Sequence, residues 1–207
     1  MKKISEIVFD FGGVFYDIDF IRLKKAFEEL QIPEQLWENK QNNIFIQFEK
    51  GEMDAQKFLD ILQLASPIEP SIDVIKSAFC SILVGMPVEN VRYLRRFTKH
   101  YSCYLLSNTN EIHYEYFHSE IINNLQTREF YNSFKKEYYS HIMKMRKPES
   151  EIFEAVIQDN SLNPESTLFV DDMEENIVTA RKIGFQTFHF GKEGKWSELI
   201  NQFNIQV

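Results

Sequence analysis

Ile7-Val8-Phe9-Asp10-Phe11-Gly12-Gly13 sets three β-favouring residues against a carboxylate and then a glycine pair. An apolar run that stops at Asp reads as a buried strand reaching its carboxyl end, because a parallel strand covered on both faces has no place for a charge before that point. Two further runs end the same way: Tyr104-Leu105-Leu106 passes into Ser107-Asn108, and Thr167-Leu168-Phe169-Val170 into Asp171-Asp172. Tyr138 to Ile142 and Phe185 to Phe190 are the remaining candidate strands. Between them lie stretches of helical spacing: Val88 to Lys99, Glu111 to Asn123, Glu149 to Gln158 behind Pro148, and Glu175 to Ile183 closed by Gly184. Trp196, Leu199, Ile200 and Phe203 mark one more helix face. Strands alternating with helices predict an α/β fold with an open, Rossmann-like parallel sheet, and the polar endings should gather at one edge of it.

Ninety-seven residues separate Asp10 from Ser107, whereas one strand-helix-strand crossover needs only about 30 or more. Within the surplus, Asp19 to Leu30, Glu34 to Phe48, Asp54 to Leu64 and Ser71 to Leu83 carry apolar residues at i, i+3, i+4 spacing, punctuated by Pro33, Gly51, Pro67 and Pro70. The expected organisation is a core of residues 1–16 and 88–207 with a helical insert at 17–87, hinged near Tyr16 to Asp19 and near Gly85 to Val88. Inserted after the first strand, the insert would hang over the polar edge and act as a cap.

Composition narrows the function. The 207 residues correspond to about 1.4 domains of ordinary size, and 43% hydrophobic content with only seven Gly and six Pro excludes a disordered or collagen-like chain. Lys and Arg number 23 against 31 Asp and Glu, a net charge of -8 that repels polyanions, so nucleic acid is not an expected partner. No apolar run reaches the roughly 20 residues of a membrane span, and Ile7-Val8-Phe9 is too short for the apolar stretch of a signal peptide. Cys80 and Cys103 are too few for a disulfide framework and read as buried free thiols. These features point to a cytoplasmic monomer without membrane attachment.

Asp10, Ser107, Lys147, Asp171 and Asp172 are the groups expected at the polar edge. Each alone is ordinary: a strand-end Asp can cap a helix, Ser-Asn is a common turn, and Lys-Pro a common helix start. Together they pose an electrostatic problem, because three adjacent carboxylates raise one another's pKa unless a cation lies among them. A hard divalent ion with oxygen ligands, Mg2+, resolves it. The set then suits a phosphoryl group, whose transfer requires positioning and charge neutralisation above all. Asp10 would attack phosphorus and form an aspartyl-phosphate, later cleaved by water. The Ser107 hydroxyl, the Asn108 backbone N–H and the Lys147 ammonium would hold the nonbridging oxygens, with Asp10, Asp171 and Asp172 around the metal.

Asp10 in IVFDFGGVF, Ser107 in LLSNTN, Lys147 in MRKPE and Asp171-Asp172 in LFVDDMEEN resemble the four motifs of the haloacid dehalogenase-like (HAD) hydrolase superfamily, across essentially the whole chain. The resemblance implies a Rossmann-like core with a helical cap of the C1 type. FDFGGVFYDIDF, LLSNTNEIH, RKPESEIF and FVDDMEENI are also similar to the bacterial α-D-glucose-1-phosphate phosphatase group. One position departs from the phosphatase pattern: the family's second Asp, a general acid and base two residues after the nucleophile, is here Gly12. The family ligates metal through the backbone carbonyl at that position, which Gly12 retains. The proton for the leaving group is lost, and general acid catalysis contributes about 10²- to 10⁴-fold. An anomeric hydroxyl is more acidic than an ordinary alcohol, so a sugar phosphate such as glucose 1-phosphate depends less on the missing acid.

Asp17 and Asp19 could replace the missing acid through water and His113 could face the site, with hinge, N-cap and surface or packing roles as their ordinary readings. Trp37, Phe45, Phe48 and Glu49 could touch a sugar, although a stripe at their spacing ordinarily reads as bundle core. Two other functions fit parts of the pattern. A metal-independent 2-haloacid dehalogenase shares the nucleophile and also lacks the second Asp, although Asp171-Asp172 would have no task beside a carboxylate substrate. A non-catalytic phosphate-binding or Asp-phosphorylated switch module shares the acids, Ser and Lys, without needing the long insert.

Overall fold

The computed structural model describes residues 2–38, 43–191 and 196–206. β1 (Glu6–Phe9) leads through a ribbon strand, β2 (Asp17–Ile18), into the insert: α1 (Phe20–Glu29), α2 (Gln35–Glu38), α3 (Ile44–Glu49), α4 (Ala55–Ala65) and α5 (Ile72–Cys80). β3 (Leu83–Gly85) returns the chain, and α6 (Val88–Phe97), β4 (Ser102–Ser107), α7 (Glu111–Asn123), β5 (Lys136–Tyr139) and α8 (Ser140–Met143) follow. The remainder is α9 (Ser150–Asn160), β6 (Thr167–Asp171), α10 (Glu174–Ile183), β7 (Gln186–His189) and α11 (Trp196–Phe203).

The main sheet has the order β5-β4-β1-β6-β7, with every neighbouring pair parallel. Its register follows from two-residue alternation. Ile7 and Phe9 point into one cluster with Leu105, Val170 and Trp196, whereas Val8 points into the other with Tyr104, Phe153, Phe169 and Ile177. Both faces are therefore filled, as the unbroken apolar runs require. β1 lies between β4 and β6, so Asp10, Ser107 and Asp171 emerge side by side at the carboxyl edge.

The insert has a hydrophobic cluster of its own around Leu23, Phe27, Phe48, Phe58, Leu62 and Phe79, joined by Ile112 of α7. Phe48 and Phe58 stack at 4.3 Å, and Phe79 lies 4.9 Å from Phe58. Side-chain caps start its helices: Asp19 accepts from Ile21 N at 2.9 Å, Asp54 from Lys57 N at 2.8 Å, and Ser71 from Val74 N at 3.4 Å.

Several boundaries differ from the sequence reading. The expected strand at Tyr138 to Ile142 ends at Tyr139, because the buried Ser140 hydroxyl bonds backbone of Thr109 and turns the chain into α8. The helix expected from Ser71 stops at Cys80, and Leu83 instead pairs in the antiparallel β2–β3 ribbon. Thus both expected hinge segments meet in a two-stranded ribbon, whose strands are too short for any periodic signal. The expected helix from Glu34 to Phe48 is represented by α2 and α3, and residues 39–42 lie outside the described ones. Cys80 and Cys103 are free and buried, and burial pushes their thiols up to about 11 and about 12.

Phe58 is fully buried, with Phe48 stacked on it and Phe79 packed against it at a tilt. Phe58→Ala should lower stability by about 3–5 kcal/mol, the usual cost of an aromatic cavity; urea denaturation measures it, and a loss below about 1 kcal/mol would mean that the insert's core is not packed as described.

Candidate functional site

Lys147 arrives at the edge from the loop between α8 and α9. Asn108 pins that loop: its Nδ2 donates to Lys147 O at 2.8 Å, and its Oδ1 accepts from Lys147 N at 2.9 Å. Directed inward, the Lys147 ammonium donates to Asp10 Oδ1 and Asp171 Oδ2, each at 2.7 Å. The lysine side chain is 1% exposed and that of Asp171 0%, so one cation is shared between two buried carboxylates. Asp171 is held further by Met173 N at 2.8 Å and by Asn176 Nδ2 at 2.9 Å and 3.1 Å.

One lysine does not balance the site. Asp10, Asp171 and Asp172 each offer a carboxylate oxygen, and these oxygens lie within 4.8 Å of one another. Burial, with Asp171 and Asp172 adding to it against the pull of Lys147, pushes Asp10 up to about 8. Burial and then Asp171 push Asp172 up to about 6. For Lys147 burial acts downward, but the two carboxylates outweigh it and the net shift is upward. Three acidic oxygens around one lysine form an oxygen-rich pocket with excess negative charge, the chemistry of a site for a hard divalent cation.

The glycine pair divides two tasks. Gly13 has φ +73°, and a Cβ there would lie 2.3 Å from Asp172 Oδ2, so the close approach of this loop to Asp172 requires glycine. A Cβ at Gly12 would meet only Ile18, at 3.5 Å and 3.7 Å, so a side chain fits at that position. Asn90 supports the loop by donating to Val14 O and Phe15 O at 3.3 Å and 2.9 Å, while its Oδ1 accepts from Trp196 Nε1 at 2.9 Å.

Ser107 is buried at the end of β4, its hydroxyl making a single long contact of 3.5 Å with Asn108 O. With Gly12 and Asn108 it lines a cavity of about 160 Å³ between insert and core, closed on the insert side by Phe45, Glu49 and Phe79. A wider open cleft of about 850 Å³ shares Gly13 and Asp172 with the site but not Ser107, Asn108 or Lys147. Neither lining includes Asp10, Lys147 or Asp171, and the smaller cavity reaches the site through Gly12, Ser107 and Asn108.

All the residues expected at the site, Asp10, Gly12, Ser107, Asn108, Lys147, Asp171 and Asp172, gather here. Asp19 is the N-cap of α1, and Asp17 lies on the ribbon beside the open cleft. Phe48 is insert core, whereas Phe45 and Glu49 line the cavity. Three supporting residues went unseen in the sequence. Asn176 carried a signal, five positions after Asp171 in the first turn of α10. Ser140 and Asn90 carried none, since each acts on a loop distant in sequence.

His113 packs against Phe79 with ring centroids 4.0 Å apart. Its Nδ1 lies 3.1 Å from Asn110 Nδ2 and its Nε2 3.1 Å from Phe79 O. A donor at one nitrogen and an acceptor at the other define the neutral ring with its proton on Nε2. Burial pushes His113 down to about 4, below its unfolded value of about 6.5. The neutral ring thus stabilises the fold fully above pH 6.5, and the contribution is lost as pH falls toward 4, up to about 3 kcal/mol. His113→Phe, less stable at pH 7, should converge on the parent protein in urea midpoint between pH 6.5 and 4; parallel profiles would contradict the neutral assignment.

Comparison with known proteins agrees with this geometry. Residues 5–184 match the haloacid dehalogenase-like hydrolase family. A D-ribitol-5-phosphate phosphatase of Bacteroides thetaiotaomicron is 31% identical over 200 residues, spanning 95% of this chain and 97% of its own. A HAD family enzyme of the same organism, solved with magnesium and inorganic phosphate, is 33% identical with a TM-score of 0.86, over 95% of this chain and 98% of the other. A predicted HAD-like hydrolase of Porphyromonas gingivalis is 26% identical, with a TM-score of 0.86 and full coverage of both chains. A dehalogenase shares the fold at 18% identity and a TM-score of 0.58, over 94% of this chain and 88% of its own.

Proposed function

The chain belongs to the haloacid dehalogenase-like hydrolase family, and from that premise we propose that it is a magnesium-dependent phosphatase acting on the monoester of a sugar or sugar alcohol. The observation that carries this reading is the buried lysine shared by Asp10 and Asp171, with Asp172 completing the acidic cluster. Two relatives support it, one named for a sugar-alcohol phosphate and one solved with magnesium and phosphate.

Asp10, Asp171, Asp172 and the Gly12 carbonyl would hold the ion. When bound, magnesium supplies neutralisation of the carboxylates and of the phosphate oxygens. An Asp10 carboxylate oxygen attacks phosphorus, the ester P–O bond breaks, and the leaving oxygen takes a proton from water. Water then attacks phosphorus of the aspartyl-phosphate, which frees inorganic phosphate and restores Asp10. Lys147 opposes protonation of Asp10 and orients it, and Ser107 and the Asn108 N–H hold the nonbridging oxygens. Residues 17–87 act as a cap on the core of 1–16 and 88–207, swinging on the β2–β3 ribbon to admit substrate and exclude water.

Steady multiple turnover of p-nitrophenyl phosphate with Mg2+ is the first test. Asp10→Asn should lower kcat by about three orders of magnitude or more, and EDTA should abolish activity until Mg2+ is restored. Activity insensitive to both changes would overturn the reading, as would halide release from chloroacetate in EDTA.

Gly12 makes the leaving group decisive. Glucose 1-phosphate should be turned over faster than glucose 6-phosphate, with D-ribitol 5-phosphate as the sugar-alcohol comparison. Gly12→Asp, for which the loop has room, should raise kcat on the 6-phosphate by about tenfold or more and affect p-nitrophenyl phosphate less. Preference of the parent protein for the 6-phosphate, or an equal effect of Gly12→Asp on both leaving groups, would remove the argument.

A further inference from the structure

The smaller cavity between insert and core is partly open and largely apolar, and among its lining residues Glu49 is the one with a charged side chain. Its polar wall comes from the end of β4, through Ser107, Asn108, Thr109 and Asn110, and from His113, whose ring nitrogens are already engaged. Glu49 stands opposite, at the end of α3. Arg146 lies behind it, outside the lining, with Nε 3.2 Å and Nη2 3.1 Å from Glu49 Oε2. Both contacts fall on one oxygen, and Oε1 has no hydrogen-bond partner among the described residues. The Glu49 side chain is 30% exposed.

The same seam carries two more contacts. Lys50 pairs with Glu149 at 2.8 Å, and Lys144 Nζ donates to Gly51 O. In this arrangement of cap and core the end of α3 is fastened to the loop that bears Lys147, so closure of the cap sets the position of Glu49 relative to the proposed phosphate site. A fixed, partly desolvated carboxylate with a spare oxygen accepts hydrogen bonds from hydroxyl groups and repels a second anion. A cavity of about 160 Å³ has room for several waters, which the hydroxylated part of a small alcohol can replace.

We propose that Glu49 is a specificity-determining residue that selects phosphate monoesters of neutral, hydroxyl-bearing alcohols and rejects those with a second anionic group. This rests on the phosphatase reading above and names the substrate class for that site. Arg146 acts as a positioning residue that partly neutralises Glu49 from behind.

Glucose 1-phosphate and glucuronic acid 1-phosphate differ only by a carboxylate in place of a hydroxymethyl group. Their inhibition constants against p-nitrophenyl phosphate hydrolysis, measured with Mg2+, give a discrimination ratio whether or not either sugar is itself turned over. The parent protein should favour the neutral ester by about tenfold or more. Glu49→Gln should bring the ratio down by about tenfold, and Arg146→Met, which removes the cation that opposes protonation of the buried Glu49 carboxyl, should bring it down as well. A general loss of packing would weaken both competitors together and leave the ratio unchanged. A ratio near one in the parent protein, no competition by either sugar, no change in Glu49→Gln, or a rise of the ratio in Arg146→Met would overturn the proposal. Absence of any p-nitrophenyl phosphate turnover would instead overturn the phosphatase reading, and this inference with it.

Discussion

Lys147 and the two carboxylates it joins set the terms for the rest of the molecule. Removing an ammonium from water costs several kcal/mol, and only close, well-aligned anions offset that cost. Asp10 and Asp171 meet the requirement because β1 and β6 are adjacent parallel strands that end at the same level. The lysine meets it from the other side, because both functional groups of the Asn108 side chain tie its loop to the end of β4. Backbone register therefore brings together charges that are 137 and 24 residues apart in sequence.

The arrangement remains electrostatically incomplete. Asp172 adds a third carboxylate, and Gly13 lets the first loop approach it more closely than any side chain would permit. An isolated buried ion pair would gain nothing from a further acid. A cation site does gain from it, and a phosphoryl group, itself anionic, then finds a place among oxygens already neutralised. Asn90, Ser140 and Asn176 hold backbone and carboxylate in place around this centre, so that little has to rearrange when charge moves.

What could be read in the sequence was what local pattern encodes. Apolar runs ending in Asp10, Ser107 and Asp171 revealed both the strands and the polar residues that meet at their ends, since hydrophobic burial and polar termination are written in neighbouring residues. The insert was legible for a similar reason, through helical spacing and the excess length between two strand ends. Features that depend on distant partners were not legible. Ser140 ends β5 by bonding the Thr109 backbone across 31 residues, and β2 and β3 are too short to show alternation. Glu49 sits within an apolar helix and reads as an edge of bundle core, and only the tertiary placement of Arg146 and Ser107 shows that it faces a cavity.

A calorimetric titration of the protein with magnesium tests the central claim most directly, because it asks whether the charge cluster holds an ion without involving any substrate. The account predicts uptake of one ion per chain, abolished or severely weakened in Asp171→Asn. No heat of binding in the parent protein, or undiminished uptake in Asp171→Asn, would contradict it.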